Sequence, residues 1–162
     1  MNKQSILVEQ ATARDADEVA LLVGKLLGEI MQAIGAKVFD FDVRESKQLL
    51  RSFINMGRYS AFVARNDEAR IIGLITLSGS YALYAGGLFG TIPEFYVEPE
   101  WRSRGVGSAL ADAARAHACS HGWHRLEVTT PPLPQFGRTL AFYESQGFAV
   151  TGGRKLKVDV QP

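Results

Sequence analysis

The sequence predicts a single α/β domain. Ten segments alternate in helical and extended pattern in the order β-α-α-β-β-β-α-β-α-β, and no repeat, low-complexity tract or Pro/Ser linker divides the 162 residues. With 46% hydrophobic residues, a chain of this length can bury one sizeable core.

A short strand is expected around Ser5–Gln10. Thr12 and Asp15 then stand at capping-box spacing, placed to answer the unpaired amides of a helix start. Val19, Leu22, Val23, Leu26 and Ile30 follow at helical period and form one apolar face. A second helix spans Asp42 to Met56, with Leu49, Leu50, Phe53 and Ile54 directed inward. Two strands, Ser60–Arg65 and Arg70–Leu77, are joined by the polar turn Asn66-Asp67-Glu68.

After a glycine-rich turn, Gly90–Glu98 reads as a strand stopped by Pro99. Gly105–His121 is an alanine-rich helix ended by Gly122. Arg125–Thr130 reads as a strand halted by Pro131-Pro132, and Arg138–Gln146 as a helix ended by Gly147. A last strand, Phe148–Val160, is expected to bend at Gly152-Gly153.

Charge excludes some functions. Eighteen basic against seventeen acidic side chains leave +1, too weak a field to hold nucleic acid. Nine Phe, five Tyr and two Trp argue against a disordered tail. Cys119 stands alone, so no internal disulfide forms, and it is expected to be a small buried residue. Met1–Gln10 holds one Lys and no long apolar stretch, unlike a signal peptide. Ile71 to Pro93 carries no charge and is long enough to span a bilayer, yet its five glycines favour strands around a turn. A soluble, cytoplasmic protein without membrane or nucleic-acid partners is expected.

The strongest local signal is Pro99-Glu100-Trp101-Arg102-Ser103-Arg104-Gly105-Val106-Gly107-Ser108-Ala109-Leu110, between a strand and a helix. A helix start presents unpaired amides and a partial positive charge, a natural seat for phosphate. Gly105 and Gly107 let the backbone approach an anion, and Arg102 and Arg104 add cationic forks. A dinucleotide fingerprint fails because Leu110 takes the third glycine position and no second mononucleotide half has room to follow; no Walker A loop is present.

Arg102-Ser103-Arg104-Gly105-Val106-Gly107 matches R/Q-x-x-G-x-G/A, and with it the chain resembles the GNAT superfamily of acyl-CoA N-acyltransferases. Glu94-Phe95-Tyr96-Val97-Glu98-Pro99-Glu100-Trp101 is similar to that family's fourth strand and lead-in. Ala141-Phe142-Tyr143-Glu144-Ser145-Gln146-Gly147-Phe148 is similar to its A-x-x-F-Y-x-x-x-G-F helix, and the element order agrees over the whole chain.

The resemblance implies one GNAT-type domain over residues 1–162, a mixed, mostly antiparallel sheet with helices on both faces, and acetyl-CoA as cosubstrate. The diphosphate would rest on the amides of Arg104 to Ser108. The pantetheine arm would run along Phe95, Tyr96 and Val97, in a slot opened where the fourth strand splays from the fifth. An amide near Val97 would face the thioester oxygen. Phe142 would pack beside the cofactor. The family's usual Asn, seven residues before the tyrosine, is here Phe136, and Arg138 is a candidate replacement contact.

Acetylating a primary amine requires something to accept the amine's proton and something to protonate the departing thiolate. Tyr143 suits the second role, since a phenol is neutral at pH 7; the alternative is a core aromatic beside Phe142. Glu94 is the favoured base, acting through a water and sharing a strand face with Tyr96; Glu127 is the second candidate, and in some relatives bulk water suffices.

His117 and His121 stand i,i+4 with Cys119 and His124 nearby, but without a convergent carboxylate they read as a solvated face and no metal is expected. Tyr81, Leu83 and Tyr84 could wall an acceptor pocket or pack in a strand. Asp40 and Asp42 read as a loop residue and a helix cap. The expected reaction is direct transfer to a small-molecule amine in a ternary complex. The alternatives are a protein N-terminal or lysine acetyltransferase and a non-catalytic acyl-CoA sensor. A homodimer is common in the family, though nothing in the chain signals one.

Overall fold

A computed structural model describes residues 5–161; residues 1–4 of the segment read for a leader lie outside them. Strand β1 (Leu7–Gln10) leads through a 3-10 turn (Ala13–Asp15) into helix α1 (Ala16–Ile34). The Asp15 carboxylate accepts the Thr12 N–H at 2.9 Å, as the capping spacing predicts. Helix α2 (Val43–Asn55) starts on Asp42, whose side chain accepts the Arg44 and Glu45 amides at 2.8 and 3.0 Å.

Strands β2 (Tyr59–Arg65) and β3 (Ile71–Ala82) pair antiparallel, and β3 continues against β4 (Gly87–Ile92). Next come β5 (Phe95–Val97), a 3-10 turn (Pro99–Trp101), α3 (Val106–Ser120), β6 (Leu126–Val128) and α4 (Gly137–Ser145). The sheet order is β1-β2-β3-β4-β6, with β5 also on β3; among the described residues only β4 and β6 run parallel. Among the described residues no helix is long and apolar enough to cross a membrane.

Period-two alternation along β3 builds two cores. Leu74 faces Val19, Leu22 and Leu50 of α1 and α2, together with Ala61, Val63 and Tyr96. Ile75 and Leu77 face Val106, Leu110 and Ala114 of α3, together with Ile92 and Trp101. The helices therefore cover both faces of the sheet, as expected.

Four local expectations are corrected. The strand expected at Gly90–Glu98 is two strands, because Pro93 cannot donate to the ladder and the chain breaks at Pro93-Glu94. The strand expected at Phe148–Val160 does not form. Phe148 packs into the core, but Val150, Leu156, Val158 and Val160 are exposed, and alternation alone makes no strand without a partner edge. Cys119 is exposed, because it falls on the outer side of α3. Leu49 is also largely exposed, while its neighbour Leu50 is buried.

Candidate active site

The break at Pro93-Glu94 divides the sheet. Before it, Gly90, Thr91 and Ile92 pair with Leu126, Glu127 and Val128 of β6. Beyond it, β5 stays on β3 through Val97↔Gly73, Tyr96↔Leu74 and Phe95↔Ile75, and its other edge meets no strand among the described residues. A free strand edge thus faces the gap left by β6.

Beyond that edge the chain turns into α3. Ser103 and Gly105 both adopt left-handed backbone, φ 59° and 84°, swinging the helix start round. No side chain caps it. The first helical bond shown at this end is Ala109 N–H to the Gly105 carbonyl at 3.0 Å, so the Val106, Gly107 and Ser108 amides have no acceptor within the helix.

Gly107 has a different reason for lacking a side chain than anion approach. A Cβ there would stand 3.1 Å from the Phe142 ring, so the bare backbone seats that ring, which also lies 5.5 Å from Phe95. Arg102 likewise has protein partners. Its Nε donates to the Val97 carbonyl at 2.8 Å, and its two terminal nitrogens grip both oxygens of Glu29 at 2.8 Å. Lys25 pairs with buried Glu98 at 2.6 Å, so two ion pairs tie β5 and the following turn to α1. The Arg104 guanidinium sits over Trp101 at 5.5 Å.

On the α1/α2 side, Glu94 lies at the floor of a cavity of about 230 Å³. Its N–H donates to Thr76 Oγ1 at 2.9 Å; the Thr76 and Tyr59 hydroxyls both donate to its Oε2. Burial, and then the charge of Glu94, push the Tyr59 phenol far up, so it remains a donor. The walls are apolar: Val19, Val23 and Leu27 from α1, Phe41 from the following loop, Leu49 and Phe53 from α2. A larger hollow of about 530 Å³ at Ala11–Arg14, Ile54 and Asn55 holds neither carboxylate nor phenol.

Tyr143 lies on the other side of β5. Its ring packs against Phe95, Phe142 and Phe148 at 6.0, 5.7 and 5.4 Å, and burial pushes its phenol up to about 12. Its hydroxyl has no hydrogen-bond partner among the described residues, yet none of their buried polar side-chain atoms is orphaned. The ring therefore belongs to the core, and the hydroxyl at its tip is not fully sealed from solvent.

Glu127 is half-exposed on β6, 3.6 Å from Arg125, and does not line the cavity. Arg138 is exposed in the first turn of α4, and Phe136 occupies that helix's N-cap. Tyr81, Leu83 and Tyr84 form an exposed hairpin tip, neither strand core nor a wall of this cavity; Arg125 lies over Tyr84 at 5.6 Å. His117 and His121 stack on each other at 3.9 Å, and burial with the neighbouring ring lowers the His117 pKa.

Sequence reasoning missed Tyr59 and Thr76. Thr76 left one trace, a hydroxyl inside the apolar run Ile71–Leu77, where a buried polar group needs partners. Tyr59 left none, because its reach to Thr76 is diagonal across the ladder, from the position opposite Ser78.

Residues 57–150, more than half the chain, match the model of the acetyltransferase (GNAT) domain. The chain belongs to the GNAT acetyltransferase family. No curated protein sequence matches this acetyltransferase. Its fold is similar to that of several solved structures. One is an aminoglycoside acetyltransferase from an uncultured soil metagenomic sample, in complex with trehalose (TM-score 0.74, 18% identity, 96% of this chain and 97% of that one). Another is a ribosomal-protein-alanine N-acetyltransferase from Brucella melitensis biovar Abortus 2308 (0.70, 22%, 97% and 100%). A third is a predicted acetyltransferase with acetyl-CoA from Clostridium acetobutylicum (0.76, 17%, 96% and 96%). Acetyltransferases of this fold use acetyl-CoA.

Proposed function

We propose that the whole chain acts as one domain that transfers the acetyl group of acetyl-CoA to the primary amine of a small molecule, with both substrates held at once. The observation that carries this reading is the position of Glu94. It stands at the break between β4 and β5, at the floor of a cavity roofed by two helices and a loop.

The residues fit acetyl-CoA. The uncapped start of α3 offers amides to the diphosphate, and the free edge of β5 offers strand-like pairing to the pantetheine arm. Phe142, seated on Gly107, walls the same channel. Arg102 contributes by fixing the loop through Glu29, and Arg104 lies over Trp101 beside the same helix start. When bound, acetyl-CoA supplies an acetyl group activated as a thioester.

Glu94 orients the amine and accepts a proton from the ammonium through a water, since an alkyl ammonium (pKa about 10.4, judged by lysine) is no nucleophile. The Tyr59 and Thr76 hydroxyls hold Oε2, which leaves Oε1 for that water. A C–N bond forms as the C–S bond breaks. Tyr143 donates its phenolic proton to the departing sulfur, and the second proton lost by the nitrogen restores the balance through solvent. Glu127 is the less favoured base because Arg125 holds it outside the cavity.

Release of free CoA thiol with a panel of primary amines tests the reading. Glu94→Gln and Tyr143→Phe are each expected to lower kcat by roughly 10²–10⁴-fold, with Glu127→Gln changing it little. Binding of acetyl-CoA without thiol release from any amine points instead to a sensor. Preference for a peptide amino terminus over every free amine points to protein acetylation.

A further inference from the structure

The cavity also speaks to the acceptor, on the assumption that the acetyl-transfer reading holds. We infer that it takes a primary amine carried on one apolar body, aryl or branched alkyl, and rejects polyamines, amino sugars and peptides.

Three features lead there. Glu94 is the one carboxylate of the lining, so the cavity neutralises one ammonium. Every further ammonium of a polycation would lie against Val23, Leu27, Phe41 or Phe53, where an unpaired charge is costly to bury. The walls offer few polar groups for sugar hydroxyls: beyond Glu94, Tyr59 and Thr76, the lining contains only Ser46, and the Tyr59 and Thr76 hydroxyls are turned to Glu94.

Size points the same way. At about 230 Å³ the space falls below the roughly 300–1,000 Å³ of pockets for larger ligands. Phe41 is set close against α1, because Gly24 has no side chain; a Cβ there would stand 3.0 Å from its ring. The loop can therefore set a flat aromatic wall against the acceptor's body.

The experiment compares kcat/KM at saturating acetyl-CoA for 2-phenylethylamine, isoamylamine, ethylamine, spermidine, kanamycin and a glycyl peptide. 2-Phenylethylamine is expected to exceed ethylamine and spermidine by roughly 100-fold or more, since apolar groups in such a pocket discriminate by about 10–200-fold each. Leu49→Asp, at an exposed position where folding is little at risk, is expected to lower the 2-phenylethylamine value about tenfold with KM for acetyl-CoA unmoved. Spermidine, kanamycin or the peptide outrunning 2-phenylethylamine overturns the inference while leaving acetyl transfer standing. Should no amine release thiol, acetyl transfer fails, and calorimetry with 2-phenylethylamine and CoA decides the inference separately. Binding weakened by Leu49→Asp supports it; no binding by the wild type overturns it.

Discussion

The Tyr59 hydroxyl donates to the Glu94 carboxylate from a strand that pairs with β3 two positions further along the ladder, and Thr76 lies between them. The two donors hold the carboxylate in one orientation. Tyr59 is thus a positioning residue for Glu94.

Tyr59→Phe is expected to lower kcat/KM for the amine by about tenfold with KM for acetyl-CoA unmoved, because the Glu94 carboxylate loses a charge-assisted hydrogen bond worth about 1.5–3 kcal/mol and keeps the one from Thr76. An unchanged kcat/KM in a variant that melts earlier would show that Tyr59 serves packing alone.

Tyr143 links stability to pH. Its phenol is raised from 10 to about 12 by burial, so the fold favours the neutral form. The contribution is complete below pH 10 and is lost as pH climbs through about 12. Melting temperature measured from pH 8 to 11.5 should hold until about 10 and then fall. Tyr143→Phe should flatten that fall; Tyr96, also raised to about 12 by burial and then by Glu98, keeps part of it.

Gly90 lies under the Trp123 indole. A Cβ there would stand 2.2 Å from the ring, and Gly79, its partner across the ladder, leaves the rest of that floor bare. Gly90→Ala is expected to cost about 1–3 kcal/mol and lower the melting temperature by roughly 2–12 °C. Gly28→Ala, in open space on α1, should instead stabilise by about 1 kcal/mol. Equal melting temperatures for the two variants would contradict this packing.

Arg102 is held by Glu29, with both side chains partly exposed, so the pair itself contributes no more than about 1 kcal/mol. Arg102→Ala should therefore lower stability slightly and raise KM for acetyl-CoA less than about threefold. Glu29→Gln should release the guanidinium and lower that KM. A rise of tenfold or more in Arg102→Ala, with Glu29→Gln silent, would assign Arg102 directly to the diphosphate.

Much of this architecture was legible in the chain. The apolar period of Val19 to Ile30, the alanines between Gly105 and His121, and the polar turn at Asn66-Asp67-Glu68 each depend on neighbours a few residues away, and each element stands where the pattern put it. The same holds for the motif that marks the start of α3, since turn chemistry and helix capping are local. The strand at Phe148–Val160 was misread for the complementary reason: alternation is local, but a strand exists only when another edge receives its hydrogen bonds.

The sequence by itself determined the four helices and the strands that precede Pro93, the glycine-marked start of α3 and the family those residues resemble, because all three are written in short-range spacing. Tertiary structure alone decided that Glu94 meets Tyr59 and Thr76, that Arg102 turns to Glu29 rather than standing free, and that the space above Glu94 is apolar. Those contacts join residues 18 to 73 positions apart. Their geometry depends on ladder register and helix packing, which no local pattern of side chains encodes.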